Sequence, residues 1–216
     1  MSNTLIINAH PNPTDKASYA NQMQTLFEAK FKTRFPNESV DVLNLSDHII
    51  PRLEADGLLG IWHKQEANVP LNDDEMTIIK QSDALLTQFI SHHRIVIVSP
   101  LHNFNITSRL KDYIDNILIA NKTFRYTETG SEGLMTDDYK VLYLQSSGGI
   151  YTENDRYTPL EFSHYFLKEM FVNIMSFDNY YIVRAQGTDI TPVDSQKIMR
   201  QVEDDLSTIF DDFYAN

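Results

Sequence analysis

The sequence predicts an α/β fold in which five parallel strands form one doubly wound sheet with helices on both faces. Two observations support this prediction. Short runs of β-branched and other apolar residues alternate with longer helical patterns from residue 4 to residue 213. Most of the helical patterns span ten residues or more, which is long enough for the right-handed crossovers that connect parallel strands.

The amino-terminal half begins with an apolar strand that we expect to be buried, followed by an amphipathic helix. The second strand has apolar residues at Val40, Val42 and Leu43/Leu45. A short helix and then a long one follow. The long helix starts with Asp73, Asp74 and Glu75, which suit the positive end of a helix dipole. The predicted ranges are 4–9 (strand), 18–35 (helix), 40–45 (strand), 53–63 (helix) and 73–91 (helix).

In the carboxyl-terminal half, the third strand is a run of β-formers that ends at Pro100. The last helix is predicted to begin at Pro192, because the first helical position tolerates a missing N–H group. The predicted ranges are 95–99 (strand), 108–120 (helix), 140–145 (strand), 160–175 (helix), 179–184 (strand) and 192–213 (helix).

Five strands in one sheet suit the flavodoxin-like order 2-1-3-4-5. The chain has no internal repeat, no low-complexity segment and no linker rich in Pro, Gly or Ser, so residues 1–216 are predicted to form a single domain. The connection over residues 121–138 is long for a turn between a helix and a strand. We expect it to be functional or to pack against a partner.

Composition excludes several classes of function. The chain has no cysteine, which removes disulfides, thiol catalysis and cysteine-ligated metals. The net charge of −12 disfavours nucleic acid and anionic lipid as partners. No signal peptide or membrane-spanning run is predicted, so the expected location is the cytoplasm. A phosphate-bearing ligand would have to be held by local backbone N–H groups and hydroxyls, since the overall field opposes it.

Three loops that follow strands are candidates for a ligand site. The first, residues 8–18, lacks the dinucleotide glycine fingerprint and the Walker lysine pattern. It carries His10, Thr14, Lys16 and Ser18, which could close around one phosphate at the start of the helix. Alternatively, Ser18 only caps the helix and His10 is a surface residue.

The second loop, residues 100–105, offers the amide of Asn103 and the flat side chains of His102 and Phe104, which suit a planar heterocycle. A plain turn remains an alternative. The third loop contains Gly148 and Gly149, which allow close approach of backbone N–H groups to a ligand but also suit an ordinary turn. Together the three loops predict a phosphate pocket beside a slot for a flat ring. No metal site and no G-x-S-x-G nucleophile is predicted.

On these residues the chain resembles the FMN-dependent NADH-azoreductases, a quinone-reductase-like branch of the flavodoxin-like fold. The resemblance covers essentially the whole chain. Ala9-His10-Pro11 is shared with other quinone reductases of the fold. The most specific segments are Pro-Leu-His-Asn-Phe-Asn-Ile (100–106), Leu-Lys-Asp-Tyr-Ile-Asp (110–115), Lys-Thr-Phe-Arg-Tyr-Thr-Glu-Thr-Gly (122–130) and Gly133-Leu134.

The resemblance implies bound FMN, NADH as co-substrate, and a homodimer with active sites at the subunit interface. It implies no catalytic side chain, because the flavin carries the chemistry. The implied FMN-binding residues are His10, Ser18, Tyr19, Ala20, Pro100, Leu101, His102, Asn103, Phe104, Ser146, Ser147, Gly148 and Gly149. The implied substrate slot is formed by His102, Phe104, Tyr126 and Phe171.

The chain departs from the family pattern at four positions. Ala20 replaces a phosphate-binding serine, which is expected to weaken FMN retention. His102 replaces a frequent tyrosine and Ser147 an arginine of some members, which is expected to alter substrate or nicotinamide preference. Asn173 stands where a glycine is common.

The implied reaction is a two-step transfer of hydride from NADH to FMN and then to a quinone or an azo compound. An electron carrier, a quinone reductase without azo activity and a flavin-free phosphoester hydrolase are the alternatives. The hydrolase has no recognisable metal or nucleophile set in this sequence.

Overall fold

A computed structural model describes residues 3–215 of the 216-residue chain. Within this range, a five-stranded parallel sheet has the order β2-β1-β3-β6-β7, and β4 pairs with β5 in a separate antiparallel hairpin. Without the hairpin strands this order is 2-1-3-4-5, so the predicted topology is confirmed. The strands are β1 (Thr4–Asn8), β2 (Asp41–Asn44), β3 (Arg94–Pro100), β4 (Phe124–Thr127), β5 (Gly130–Gly133), β6 (Lys140–Ser146) and β7 (Asn179–Ala185).

The helices lie between the strands, as the alternating pattern predicts. Asn72 and Glu75 form a capping box at the start of α3, so the acidic first turn also satisfies free backbone groups. After α5 the chain continues as a π-helical segment over Glu169–Ile174. The helices are α1 (Tyr19–Arg34), α2 (Leu58–Glu66), α3 (Asp73–Ile90), α4 (Ser108–Ile117), α5 (Phe162–Lys168) and α6 (Ser195–Tyr214).

Several predicted helix bounds differ from the structure. The short helix α2 begins at Leu58 rather than residue 53, because the Gly57 and Leu58 amides close a turn on the carbonyls of Glu54 and Arg52. Helix α4 ends at Ile117, where the following residue leaves the helical conformation. Helix α6 begins at Ser195 with Asp194 as its side-chain cap, so Pro192 lies in the preceding loop.

The hairpin β4–β5 occupies the connection that the sequence predicts only as a long loop. Its strands are short, and most of their residues are exposed, so no apolar alternation marks them. The hairpin packs at the amino end of the sheet. Gly133 lies against Met175 and Ser176, just before β7 begins, and Met135 N–H donates to Met175 O at 2.9 Å.

Apolar clusters cover both faces of the sheet, because alternate strand residues point to opposite sides. Ile95 and Ile97 face a cluster with α3, α4 and the π-helical segment, whereas Val96 and Val98 face α1 and α6. Both sets are fully buried. Among residues 3–215, no helix is both long and apolar enough to cross a membrane. The helical layers leave the carboxyl edge of the sheet to the connecting loops.

Candidate functional site

The three predicted loops meet at the carboxyl edge of the sheet. Ala9 N–H donates to Val98 O at 2.8 Å, which joins the first loop to β3. Leu101 N–H donates to Ser146 O at 2.7 Å, which joins the second loop to the end of β6. Ser147 N–H donates to Ala185 O at 2.9 Å, which joins the third loop to the end of β7. Ligands of doubly wound sheets bind in this position.

Two asparagines organise the first loop. The side-chain amide of Asn8 donates to Asn21 Oδ1 at 3.0 Å and to Gln24 Oε1 at 2.7 Å, while its oxygen accepts from His10 N–H at 2.8 Å. The side-chain amide of the buried Asn21 donates to Asn12 O at 3.0 Å and Asp15 O at 2.8 Å. No residue pattern predicts this role. The sequence shows only that one asparagine ends an apolar strand and that another lies in the first turn of the following helix.

The start of α1 presents free backbone donors. The amides of Tyr19 and Ala20 lie in the first turn, where no intrahelical acceptor exists. Ser18 is the N-cap, at 3.5 Å from Asn21 N–H. The Tyr19 hydroxyl lies 2.6 Å from Ser195 Oγ, and the Ala20 methyl group is buried in the apolar cluster beside α6. The free polar groups of these two residues at the helix start are therefore their backbone amides, and not their side chains.

Replacing Asn21 with alanine is expected to loosen the first loop. The variant removes the hydrogen bonds of the Asn21 side chain to Asn12 O, Asp15 O and the Asn8 amide, which costs about 1–3 kcal/mol of stability. Binding of the FMN that the resemblance implies should weaken by about tenfold because the loop amides lose their fixed position. Thermal unfolding and quenching of FMN fluorescence measure both effects. Thr33→Ala, on the same helix but far from the loop, is the control. Unchanged FMN affinity in Asn21→Ala would contradict this role.

The second loop is a tight two-residue turn. His102 N–H donates to Asn105 O at 2.8 Å, and Asn105 N–H donates to His102 O at 3.0 Å. The two central residues have left-handed backbone conformations, with φ of 47° at Asn103 and 66° at Phe104. This is the geometry of a type I′ turn, which favours Asn and Gly. A phenylalanine there costs about 1–2 kcal/mol, and such strain concentrates at functional sites.

Phe104 anchors this turn to the neighbouring elements. Its carbonyl accepts from Phe162 N–H at 2.9 Å at the start of α5, and its ring packs edge-on against Tyr151 with centroids 6.2 Å apart. The ring stays 40% exposed. Phe162 and Tyr165, one helical turn apart on α5, are also exposed. The turn therefore borders an exposed aromatic surface formed by Phe104, Phe162 and Tyr165. Of these three residues, only Phe104 is predicted from the sequence as part of the site.

The third loop directs its carbonyls away from the edge. Gly187 and Asp189 donate their N–H groups to Gly149 O and Gly148 O, each at 3.1 Å. Within residues 3–215, the Gly148 and Gly149 N–H groups donate to no protein acceptor. A Cβ atom on Gly148 would lie 2.4 Å from Asp189 Oδ2. A larger residue at position 148 would therefore require the Asp189 side chain to move, and the loop leaves two N–H groups free.

Tyr126 and Phe171 lie apart from the three loops. Tyr126 is 76% exposed on the hairpin at the amino end of the sheet. Phe171 has no exposed surface, since its ring packs against Phe89 and Phe177 with centroids 6.1 Å and 5.1 Å away. Phe171 therefore presents no surface to a slot in the described subunit, and its place in the substrate slot stays a prediction. An aromatic residue in an amphipathic segment can belong to a core as well as to a slot. Here the Phe171 ring is part of the core.

The polar groups beneath the loops are buried. Burial raises the pKa of Tyr143 to about 12, so its phenol stays neutral at physiological pH. Burial also lowers the pKa of His164, on α5. In the described part of the chain, no three His, Asp or Glu side chains are grouped so that they could hold a metal ion. What the edge offers a ligand is backbone donors, flat side chains and the Asn103 amide.

The fold and these three loops define a flavodoxin-like protein with a ligand site at the carboxyl edge of its sheet. The flavodoxin-like fold family matches residues 2–209. An FMN-dependent NADH:quinone oxidoreductase of Lactiplantibacillus plantarum is 54% identical over 214 residues, covering 99% of this chain and 100% of that protein. A namesake from Streptococcus agalactiae is 46% identical over 99% of both chains. The chain therefore belongs to the family of FMN-dependent NADH:quinone oxidoreductases.

Solved structures agree with this assignment. An FMN-dependent NADH-azoreductase from Bacillus anthracis, solved in complex with FMN, is 41% identical, covers 100% of both chains and superposes with a TM-score of 0.93. A second azoreductase from Bacillus anthracis is 26% identical, covers 96% of this chain and 98% of its own, and superposes with a TM-score of 0.84. The predicted family and fold are confirmed.

Proposed function

We propose that this protein is an FMN-dependent NADH oxidoreductase that reduces quinones and aromatic azo compounds by two-electron transfer. The observation that carries the proposal is the meeting of three loops with free backbone donors at one edge of the sheet. The names of its relatives support the same activity: they are FMN-dependent NADH:quinone oxidoreductases and an FMN-dependent NADH-azoreductase.

The residues at this edge fit FMN. The Tyr19 and Ala20 amides and the Ser18 hydroxyl would hold the phosphate at the positive end of α1, with His10 beside them. Residues 100–104 would lie against the ring system, with the Asn103 side chain and the free N–H groups of Gly148 and Gly149 meeting its polar edge. Because the chain has a net charge of −12, these local donors have to overcome an unfavourable overall field.

FMN held by these residues would supply the redox chemistry, a hydride transfer from NADH to the acceptor. The protein's own residues would hold the ring system and orient the substrate against it. Phe104, fixed by its turn, presents a flat ring on which an aromatic substrate can stack. The free N–H groups of Gly148 and Gly149 would stabilise negative charge at the polar edge of the ring. His102 borders the same slot.

The proposed assembly is a homodimer with its active sites at the subunit interface. Tyr126, exposed on the hairpin at the far end of the subunit, and the exposed aromatic residues of α5 support this arrangement, since each could complete a partner's slot. Light scattering should then give about twice the chain mass of 25.0 kDa. A monomer that keeps full activity would contradict it. We also propose that residues 1–216 form one domain and act in the cytoplasm.

The deciding experiment is an absorbance spectrum of the FMN-reconstituted protein before and after anaerobic addition of NADH. Flavin bands that bleach with NADH alone are the expected result. A bound flavin that stays oxidised would instead indicate an electron carrier, and the absence of bound flavin would refute the proposal. A panel of quinones and azo dyes then separates azo reduction from quinone reduction.

A further inference from the structure

A buried carboxylate lies beneath the ring-binding loops. Glu161 is 3% exposed and accepts four hydrogen bonds. The donors are Gln145 Nε2 at 2.7 Å, Ser163 Oγ at 2.7 Å, the His164 amide at 2.8 Å and Arg184 Nη2 at 3.0 Å. Gln145 and Ser163 are fully buried as well. The Glu161 side chain thus holds one fixed position.

The donors come from three different elements. Gln145 is the residue of β6 just before Ser146, and Arg184 is the residue of β7 just before Ala185. Ser163 and His164 lie in the first turn of α5, for which Glu161 is the N-cap. Glu161 therefore joins the carboxyl ends of two strands to the start of a helix.

Each of these elements leads directly into a loop of the proposed flavin site. Strand β6 continues into residues 146–149, and β7 continues into residues 186–189, whose amides bind the carbonyls of Gly148 and Gly149. Phe162, next to Glu161, donates its N–H to Phe104 O in the left-handed turn. One carboxylate thus connects the glycine loop, its support and the aromatic turn.

Stability alone does not account for this cluster. A buried ion pair gains little over an apolar group of similar volume, because both charges lose their water. Within residues 3–215, Gln145 Oε1 and Arg184 Nε are buried without a hydrogen-bond partner, which adds a further cost. Such a cost is typical of a polar cluster that fixes a particular geometry.

We propose that Glu161 is the positioning residue of the flavin-ring site, setting the relative positions of residues 102–105 and 146–149. This inference rests on the proposed function. Glu161 does not touch substrate in this arrangement and acts only through the loops. Its loss should therefore disturb ring binding and leave the phosphate-binding first loop intact.

The test compares Glu161→Gln with the charge-balanced double variant Glu161→Gln/Arg184→Met. Asp138→Asn is the control, because the partly exposed Asp138 pairs at 2.7 Å with the buried Arg94 at the opposite end of the sheet. In Glu161→Gln we expect FMN to bind ten- to a hundredfold more weakly and the KM for NADH to rise. In the double variant, thermal stability should recover because no charge is left unpaired, whereas FMN binding and KM should stay impaired. Asp138→Asn should lose stability alone.

Hydrogen exchange of the flavin-free protein provides a readout that does not depend on activity. Glu161→Gln should exchange faster at residues 102–105 and 146–149 and at an unchanged rate at residues 10–18. Unchanged exchange, wild-type FMN affinity, or an equal loss of FMN binding in Asp138→Asn would overturn the positioning role. If the wild-type protein binds no FMN, the proposed function fails, and the exchange pattern alone then decides whether Glu161 positions the loops.

Discussion

Phe104→Gly is expected to bind FMN at least tenfold more weakly than the wild-type protein while unfolding at nearly the same temperature. The variant removes the flat ring on which the flavin or substrate would stack, a contact worth about 1.5–3 kcal/mol. Glycine adopts the left-handed conformation of residue 104, with its φ of 66°, without steric cost. Relief of about 1–2 kcal/mol of backbone strain offsets the lost packing against Tyr151 and the greater freedom of the unfolded chain.

Phe104→Ala separates the two effects. Alanine also removes the ring but keeps the strained backbone, so this variant should unfold below Phe104→Gly while binding FMN equally poorly. FMN titration by fluorescence and thermal unfolding measure both quantities. Asn103→Gly, which relieves strain at the neighbouring position and keeps the ring, should be at least as stable as the wild type. If Phe104→Ala proved more stable than Phe104→Gly, the left-handed turn would be refuted.

The strand order and the three loops were predictable because they depend on local patterns. A buried parallel strand needs a continuous apolar run, and residues 95–98 supply one with Ile and Val. A loop after such a strand must lie at the carboxyl edge, whatever its conformation. The positions of His10, Asn103 and Gly148 at one edge therefore follow from topology alone.

The supports of the site were not predictable, because they depend on contacts between distant segments. Asn21 binds carbonyls of the loop before its helix, and Glu161 binds residues as far away as Arg184. Neither residue belongs to a motif. The short hairpin has too few apolar residues to show a strand period, and Phe171 has the same pattern in a core as in a slot. Only the packed fold distinguishes these cases.

Gly133→Ala is the second variant with a large expected effect. A Cβ atom at this position would lie 2.2 Å from Ser176 Oγ, 2.4 Å from the Met175 carbonyl carbon and 2.5 Å from Ser176 N. Ser176 has φ of 67°, and Met175 O accepts from Met135 N–H at 2.9 Å, so this backbone has little freedom to move. The hairpin must shift away from the sheet. We expect a loss of about 1–3 kcal/mol and a fall in Tm of roughly 3–10 °C.

The same displacement tests the proposed dimer. Tyr126 lies on the hairpin, far from the loops of its own subunit, so a shifted hairpin would leave those loops intact but disturb a slot that it completes in the partner. Gly133→Ala should then retain FMN and lose turnover of quinone and azo substrates. Ser131→Ala, an exposed change in the same hairpin, should stay within about 0.5 kcal/mol of the wild type. Turnover at the wild-type rate in a destabilised Gly133→Ala would mean that the hairpin supports the fold of its own subunit and contributes nothing to the partner's site.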